Sequence, residues 1–127
     1  MASDNGVWVG NASGWTRIWD EQANAVEMDR NGTLWVAGLG NRGTSSLRSF
    51  HESADGWSLT WSGCRAGGWS LDVASDGSAW TSGFDYSLTA GIARARGDAC
   101  EAITSVAGLE LNYVEQLAAG PGGRVAV

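Results

Sequence analysis

A glycine that closes a turn between two apolar segments recurs along this 127-residue chain at a nearly constant interval. The three anchor positions are Gly32, Gly77 and Gly123, which gives spacings of 45 residues (32 to 77) and 46 residues (77 to 123). Self-similarity at a period in the mid-forties is typical of architectures that repeat one four-stranded sheet. We therefore expect a repeat protein in which each period folds as one such sheet.

Each anchor glycine lies in a predicted hairpin turn. Asn31-Gly32 and Asp76-Gly77 are dipeptides that tolerate positive φ at both turn positions, and alternating apolar residues flank each of them. We name the strands before and after the turn A and B, and Trp35 and Trp80 take equivalent positions in strand B. The residues predicted to build these turns are Asn31, Gly32, Asp76, Gly77 and Gly123.

A second hairpin, of strands C and D, follows in each period. Residues 46–52 are predicted as strand C and residues 57–61 as strand D, because apolar and polar residues alternate strictly in the latter. The next strand D is predicted from Cys100 to Val106. Trp15 and Trp19 precede Trp57 and Trp61 by the same 42 residues, so the beginning of the chain matches strands C and D. The predicted units are 5–19 (C-D), 24–63 (A-B-C-D), 68–108 (A-B-C-D) and 113–127 (A-B).

Composition agrees with an all-β fold and excludes some partners. The 19 glycines, 8 tryptophans and single proline suit many short strands joined by tight turns. The net charge of -6 lacks the basic footprint that nucleic-acid binding needs. No run approaches the roughly 20 apolar residues required to cross a bilayer, so we predict no membrane insertion. Cys64 and Cys100 lack the spacing of a zinc site, so they form either a single disulfide or two buried thiols, of which we favour the thiols.

The segment from Val26 to Gly63 resembles a known repeat. It carries an apolar strand, the turn Asp29-Arg30-Asn31-Gly32, an aromatic strand that ends at Gly38, and a last strand that starts at Asp55-Gly56-Trp57. This pattern is similar to the bacterial seven-bladed-propeller (SBBP) repeat, and the resemblance spans nearly the whole chain. It implies a β-propeller of four-stranded antiparallel blades, from a parent protein that is secreted or attached to the cell surface. The last repeat departs from the pattern, with Ala126 where strand B should carry tryptophan.

The predicted order C-D, A-B-C-D, A-B-C-D, A-B starts and stops in the middle of a blade. Two whole blades and two halves are too few to close a ring, because propellers generally have at least about four blades. We therefore expect closure by homo-oligomerisation, in which strands C and D of one copy complete the blade begun by strands A and B of another. Two copies would give six blades, which we favour, and three would give nine. The rival interpretation is a piece of a longer propeller.

Tryptophan suggests the function, because indole faces stack on sugar rings. Four tryptophans hold repeat-equivalent strand positions and are predicted to form the core between blades, namely Trp19, Trp35, Trp61 and Trp80. Three others stand near turns or strand ends and are candidates for carbohydrate binding, namely Trp8, Trp57 and Trp69. We expect a non-catalytic, lectin-like propeller. A purely structural assembly module and a glycoside-active propeller enzyme are the alternatives.

Acidic residues supply the remaining candidates. Glu27 and Asp72 share a position in strand A. They either bind a cation or polar ligand in a central channel, or they solvate the channel mouth or bond to backbone amides of the next blade. His51 is the only histidine and no Gly-x-Ser-x-Gly motif accompanies it, so we predict no catalytic residue. No metal site or cofactor is predicted either.

Overall fold

The computed structural model describes residues 1–3, 5–39, 45–64, 68–83, 91–111 and 114–127. These residues form fifteen β-strands and no α-helix, with one short 3-10 segment at Pro121–Gly123. The strands are β1 Ala2–Ser3, β2 Gly6–Asn11, β3 Gly14–Trp19, β4 Ala25–Met28, β5 Leu34–Leu39, β6 Ser45–Ser53, β7 Gly56–Gly63, β8 Leu71–Val73, β9 Ala79–Gly83, β10 Gly91–Arg96, β11 Ala99–Ile103, β12 Ser105–Val106, β13 Leu109–Glu110, β14 Ala118–Ala119 and β15 Val125–Ala126. The fold is all-β, as predicted.

Several antiparallel sheets follow one another along the chain. Sheet 1 has the order β1-β2-β3, sheet 2 the order β4-β5-β6-β7, sheet 3 the order β8-β9-β10-β11 and sheet 4 the order β14-β15. Strands β12 and β13 pair separately as a small hairpin between sheets 3 and 4. Each sheet is a meander, in which every strand pairs with its neighbour in sequence. Local turn chemistry therefore determines most of the pairing.

The turn between β4 and β5 shows how a short sequence produces a hairpin. The Asp29 carboxylate accepts hydrogen bonds from the backbone amides of Asn31 and Thr33, both at 2.8 Å. Gly32 has a φ of 82°, a left-handed conformation that costs glycine little because it has no Cβ. The equivalent turn in sheet 3 uses Gly77, also at 82°, and the carboxylate of Asp76.

The sheets stack face to face, and an apolar core fills each of the three spaces between neighbours. Alternation along β5 sends Leu34 and Val36 to one face of sheet 2 and Trp35 and Ala37 to the other. The core between sheets 1 and 2 contains Val7, Ala23, Leu34, Val36 and Phe50. That between sheets 2 and 3 contains Trp35, Ala37, Leu47, Ala79 and Ala95. That between sheets 3 and 4 contains Ala74, Trp80, Ile92, Val114 and Leu117.

The first strands of sheets 2, 3 and 4 lie side by side, since β4 contacts β8 and β8 contacts β14. Side chains of sheet 3 bind the backbone edge of β14. Ser70 Oγ accepts a hydrogen bond from the Leu117 amide at 3.1 Å, and Asp72 Oδ2 accepts one from the Ala119 amide at 2.7 Å. These two acceptors, spaced two residues apart, satisfy amides that point away from β15.

An irregularity repeats at the same place in sheets 1 and 2. The β2–β3 register shifts between Val7 and Trp8, and the β6–β7 register shifts between Ser49 and Phe50. Val7 lies opposite Trp19, as Ser49 lies opposite Trp61. The same register shift at matching positions shows that the two hairpins share one local geometry, that of a β-bulge. The hairpin β2–β3 is therefore the structural equivalent of β6–β7.

The structure corrects two expectations. Cys64 and Cys100 form a disulfide, with their Cα atoms 5.5 Å apart, where two buried thiols were expected. The bridge joins the end of β7 to the outer strand of sheet 3, so it staples the two sheets together. The strand predicted from Cys100 to Val106 ends at Ile103, because the chain then turns into the β12–β13 hairpin. The left-handed pair Ala107 and Gly108 closes that hairpin.

Candidate functional site

A cleft of about 900 Å³ lies between sheets 1 and 2, beside their hairpin turns. Residues of the β2–β3 hairpin line one side, and the β6–β7 turn with parts of the β4–β5 turn lines the other. The volume falls within the range of roughly 300–1,000 Å³ that small-molecule sites occupy. The side chains with aromatic or hydrogen-bonding character that line it are Asn11, Ser13, Trp15, Thr16, Arg17, Glu52, Asp55 and Trp57.

Two tryptophans in equivalent positions line the cleft. Trp57 directly follows the β6–β7 turn, is half-buried and packs against the core between sheets 1 and 2. Trp15 directly follows the β2–β3 turn and is 59% exposed. It lies over Gly10, where a Cβ would come within 2.8 Å of the indole Cδ2. The absence of a side chain at Gly10 therefore makes room for the indole of Trp15.

Polar and charged groups of both signs surround these rings. The turn that carries Asn11 is held locally, because its Oδ1 accepts a hydrogen bond from the Ser13 amide at 2.8 Å. Arg17 contributes a cationic donor, and Glu52 and Asp55 contribute anionic acceptors. Donors, acceptors and aromatic surface in one cleft suit a ligand that has both hydroxyl groups and apolar faces. Among the described residues, no group of three His, Cys, Asp or Glu side chains is arranged to hold a metal ion.

The other candidate residues lie elsewhere. Trp8 is half-buried in β2, and Trp69 is 59% exposed just before β8; neither lines the cleft. Glu27 is exposed in β4, opposite Trp35. Asp72 binds the Ala119 amide of the next sheet, which is the backbone-bonding role considered for it. Of the five candidates, the structure therefore brings only Trp57 to the cleft.

Sequence reasoning missed Trp15 as a site residue. Trp15 precedes Trp57 by 42 residues, the spacing that separates equivalent residues of the two hairpins, and this spacing marks it as the partner of Trp57 in the site. In sheet 3 the equivalent residue is Cys100, since Ala95 lies opposite Cys100 next to the turn as Glu52 lies opposite Trp57. In sheet 3, a disulfide-bonded cysteine thus takes the position that tryptophan holds in sheets 1 and 2.

The tryptophans predicted for the core differ in burial. Trp35 and Trp80 are buried, whereas Trp19 and Trp61 are half-buried at the edges of the cores between sheets. Trp19 meets Phe50 edge to face at 5.5 Å between centroids, and Trp61 meets Trp35 in the same way at 6.0 Å. Both contacts have the favoured geometry of aromatic pairs. The Trp19–Phe50 pair joins sheet 1 to sheet 2, whereas Trp61 and Trp35 both belong to sheet 2.

A buried arginine lies next to Trp19. Arg48 is 7% exposed, pairs with Glu21 at 3.1 Å and lies 5.2 Å from the centroid of the Trp19 ring. Burial lowers the pKa of the Arg48 guanidinium, and the Glu21 carboxylate opposes that shift. His51, the only histidine, is exposed in β6 and does not line the cleft.

Comparisons with protein-family models, with curated proteins and with solved structures found no match. Within the described part of the chain, no helix is long and apolar enough to span a membrane.

Proposed function

We propose that this protein is a non-catalytic carbohydrate-binding module whose ligand lies in the cleft between sheets 1 and 2. The observation that carries the proposal is the pair Trp15 and Trp57, which line a cleft that also contains hydrogen-bonding side chains. Sugar rings present apolar C–H faces to aromatic rings and hydroxyl groups at their edges. A cleft with indoles and both donors and acceptors matches these two surfaces at once.

The polar residues of the cleft indicate which sugars suit it. Arg17 can donate to ring or hydroxyl oxygens, while Glu52 and Asp55 can accept from hydroxyl groups. Two carboxylates against one guanidinium disfavour a ligand that carries several negative charges, because repulsion would exceed the single attraction. Neutral oligosaccharides are therefore the class that the cleft fits best.

The scaffold we propose for this site is a β-propeller. Face-to-face stacking of four-stranded meanders, with first strands adjacent, is the arrangement of propeller blades around an axis. In this interpretation sheets 2 and 3 are the blades predicted over 24–63 and 68–108. Sheet 1 supplies strands C and D of a further blade (5–19), and sheet 4 supplies strands A and B (113–127). Two copies that share strands would close a ring of six blades, as we favour, and three copies one of nine.

Binding is tested with a matched set of tryptophan variants. A glycan array first identifies the saccharide, and titration by intrinsic fluorescence then gives its Kd for wild type, Trp15→Ala and Trp57→Ala. Loss of either stacking surface is expected to weaken binding about tenfold or more, equivalent to about 1.4 kcal/mol. Trp69→Ala is the control, because Trp69 is as exposed as Trp15 but lies outside the cleft.

Two results would contradict the proposal. One is an array on which no glycan binds, and the other is equal loss of affinity in all three variants. In the first case the assembly role alone would stand as the function. That second candidate is favoured by sheets 1 and 4, which together contain the strands of one blade. Light scattering coupled to size exclusion tests it, since a closed ring requires two or three times 13.3 kDa.

A further inference from the structure

Strand β1 occupies a position that belongs to strand B in the complete sheets. It pairs with β2 so that Ala2 lies opposite Val7 and Ser3 opposite Gly6. In sheet 2, β5 pairs with β6 so that Trp35 lies opposite Ser49. Because Val7 and Ser49 are equivalent through the shared bulge, Ala2 takes the place of Trp35. Residues 1–3 therefore stand where residues 34–36 stand in sheet 2.

Strand β15 also contains a residue at the position of Trp35. Ala126 lies opposite Ala118 in sheet 4, as Trp35 lies opposite Glu27 in sheet 2. Ala126 is thus also equivalent to Trp35. Strands β1 and β15 therefore both carry alanine at the position that Trp35 holds in sheet 2. Ala2 is packed against the core between sheets 1 and 2, so an alanine from β15 would fill the same space.

Strand β1 pairs with sheet 1 over a short length only. It makes two paired positions, extended by the Met1–Trp8 backbone hydrogen bonds at 2.9 and 3.0 Å, whereas β5 pairs with β6 over six positions. Beyond β1, no strand among the described residues continues sheet 1. Strand β15 is itself half-open, since Ala126 is exposed and Val127 is 62% exposed. The edge of β2 is therefore covered by a short strand only, and β15 has no second neighbouring strand among the described residues.

We infer that the edge of β2 is the docking site for β15 of a second copy, and that β1 is a placeholder which the incoming strand displaces. The inference rests on the proposed strand-sharing assembly and specifies its register: Val125 opposite Trp8, Ala126 opposite Val7 and Val127 opposite Gly6. The exchange brings β14 along with β15. Sheet 1 then acquires the order β14-β15-β2-β3, which reproduces the order β4-β5-β6-β7 of sheet 2.

Replacing β1 by β15 and β14 of a second copy gains contacts through β14, which becomes the first strand of the completed sheet. Sheet 1 with β1 in place contains no described strand that is equivalent to β4. Such a strand A would lie beside β4. Elsewhere these positions are filled, because β4 contacts β8 and β8 contacts β14. Displacing β1 costs a few backbone hydrogen bonds, which β15 replaces, and β14 adds contacts that β1 cannot make.

The register is tested by disulfide cross-linking between copies of the full chain. Ala126→Cys combined with Val7→Cys places the two cysteines directly opposite each other in a non-hydrogen-bonded pair, where Cβ atoms lie closest and approach the separation of about 3.5–4.5 Å that a disulfide requires. Ala126→Cys with Val9→Cys is the control, because a diagonal pair stands about 7–8 Å apart. We expect a cross-linked dimer on a non-reducing gel from the first pair and at least tenfold less from the second.

A second variant tests the placeholder role. The backbone groups of Met1 and Trp8 form two hydrogen bonds with each other. Hydrogen-bonded and non-hydrogen-bonded pairs alternate along an antiparallel ladder, so the next hydrogen-bonded pair is Ser3 with Gly6. Ser3→Pro removes that donor from β1 alone. A closed dimer has two joints and displaces two β1 strands, so we expect the dimer dissociation constant to fall about 30-fold, the factor that two backbone hydrogen bonds of about 1 kcal/mol each represent.

The outcomes separate the inference from the assembly on which it rests. A wild-type protein that stays at 13.3 kDa at every concentration, with no cross-link, would overturn both. If the wild-type protein is a dimer but the two double-cysteine variants cross-link equally, or neither does, the dimer would stand and this register would be refuted. A Ser3→Pro dimer weaker than wild type would show that β1 supports the assembled form, which contradicts its displacement.

Discussion

Removing the Cys64–Cys100 disulfide gives the prediction whose magnitude follows most directly from the structure. The bridge spans 36 residues of sequence and joins sheets 2 and 3. In the chain-entropy description, closing a loop of this length lowers the entropy of the unfolded chain by about 13 cal/mol/K, or about 4 kcal/mol at 25 °C. We therefore expect Cys64→Ser with Cys100→Ser to lose about 4 kcal/mol of unfolding free energy.

The same figure predicts the thermal shift. An unfolding entropy of about 2.1 cal/mol/K per residue gives about 270 cal/mol/K for this chain, so the Tm should fall by about 15 °C. Serine is the suitable replacement because Cys64 has a φ of 50°, and glycine there would change the backbone entropy as well. Removing both cysteines leaves no unpaired thiol.

Urea unfolding followed by tryptophan fluorescence measures the free energy, and calorimetry measures the Tm. Protein concentration is held constant, because assembly would add stability by mass action. Wild type in excess reductant is the control and should match the double variant. A loss below about 1 kcal/mol in both samples would refute the reasoning, since the bridge would then not restrict the unfolded chain.

Three further predictions concern single side chains. Asp72→Ala removes the acceptor of the Ala119 amide, so hydrogen exchange at Ala119 should accelerate about tenfold or more, the factor of a charge-assisted bond; unchanged exchange would contradict that role. Hydrogen bonds from the Ser78 hydroxyl and amide lower the pKa of Asp76 below its ordinary 3.8, so its contribution to stability is complete above pH 3.8 and is lost as the pH falls through the folded-state value. An NMR titration should show Ser78→Ala raising the pKa of Asp76 toward its ordinary value. Phe50→Ala should cost about 3–5 kcal/mol in urea unfolding, because Phe50 is 1% exposed between sheets 1 and 2; a cost under about 1 kcal/mol would place it outside the core.

Local signals in the sequence were sufficient to locate the hairpins. Asn31-Gly32 and Asp76-Gly77 predicted positive φ at both turn positions, and the structure places both glycines at a φ of 82° but neither Asn31 nor Asp76 at a positive φ. The alternation around Trp57 predicted β7, although it gave no sign of the bulge near Trp61. A bulge adds one residue without altering composition, so nothing in a pattern of period two reveals it.

Features that depend on distant contacts were not predictable in this way. The disulfide requires Cys64 and Cys100 to meet across two sheets, and their spacing of 36 residues carries no information on that distance. The β12–β13 hairpin escaped notice because Ala107 holds a left-handed turn position, with a φ of 52°, that is usually occupied by asparagine, aspartate or glycine. The cleft appeared only when the stacking of sheets 1 and 2 brought Trp15 and Trp57 to its walls.

The hydrogen bonds from sheet 3 to the edge of β14 give the stack a direction. Ser70 and Asp72 are acceptors only on the side that meets the following sheet, and the amides they bind belong to Leu117 and Ala119 of that sheet. In the proposed assembly, copies that extend the stack would therefore join head to tail. Heterologous contacts of this kind form a ring when the rotation per unit closes and a filament when it does not. If the proposed ring forms, a substitution that altered the twist between sheets would thus favour a growing fibre over the closed ring, without changing any residue of the joint itself.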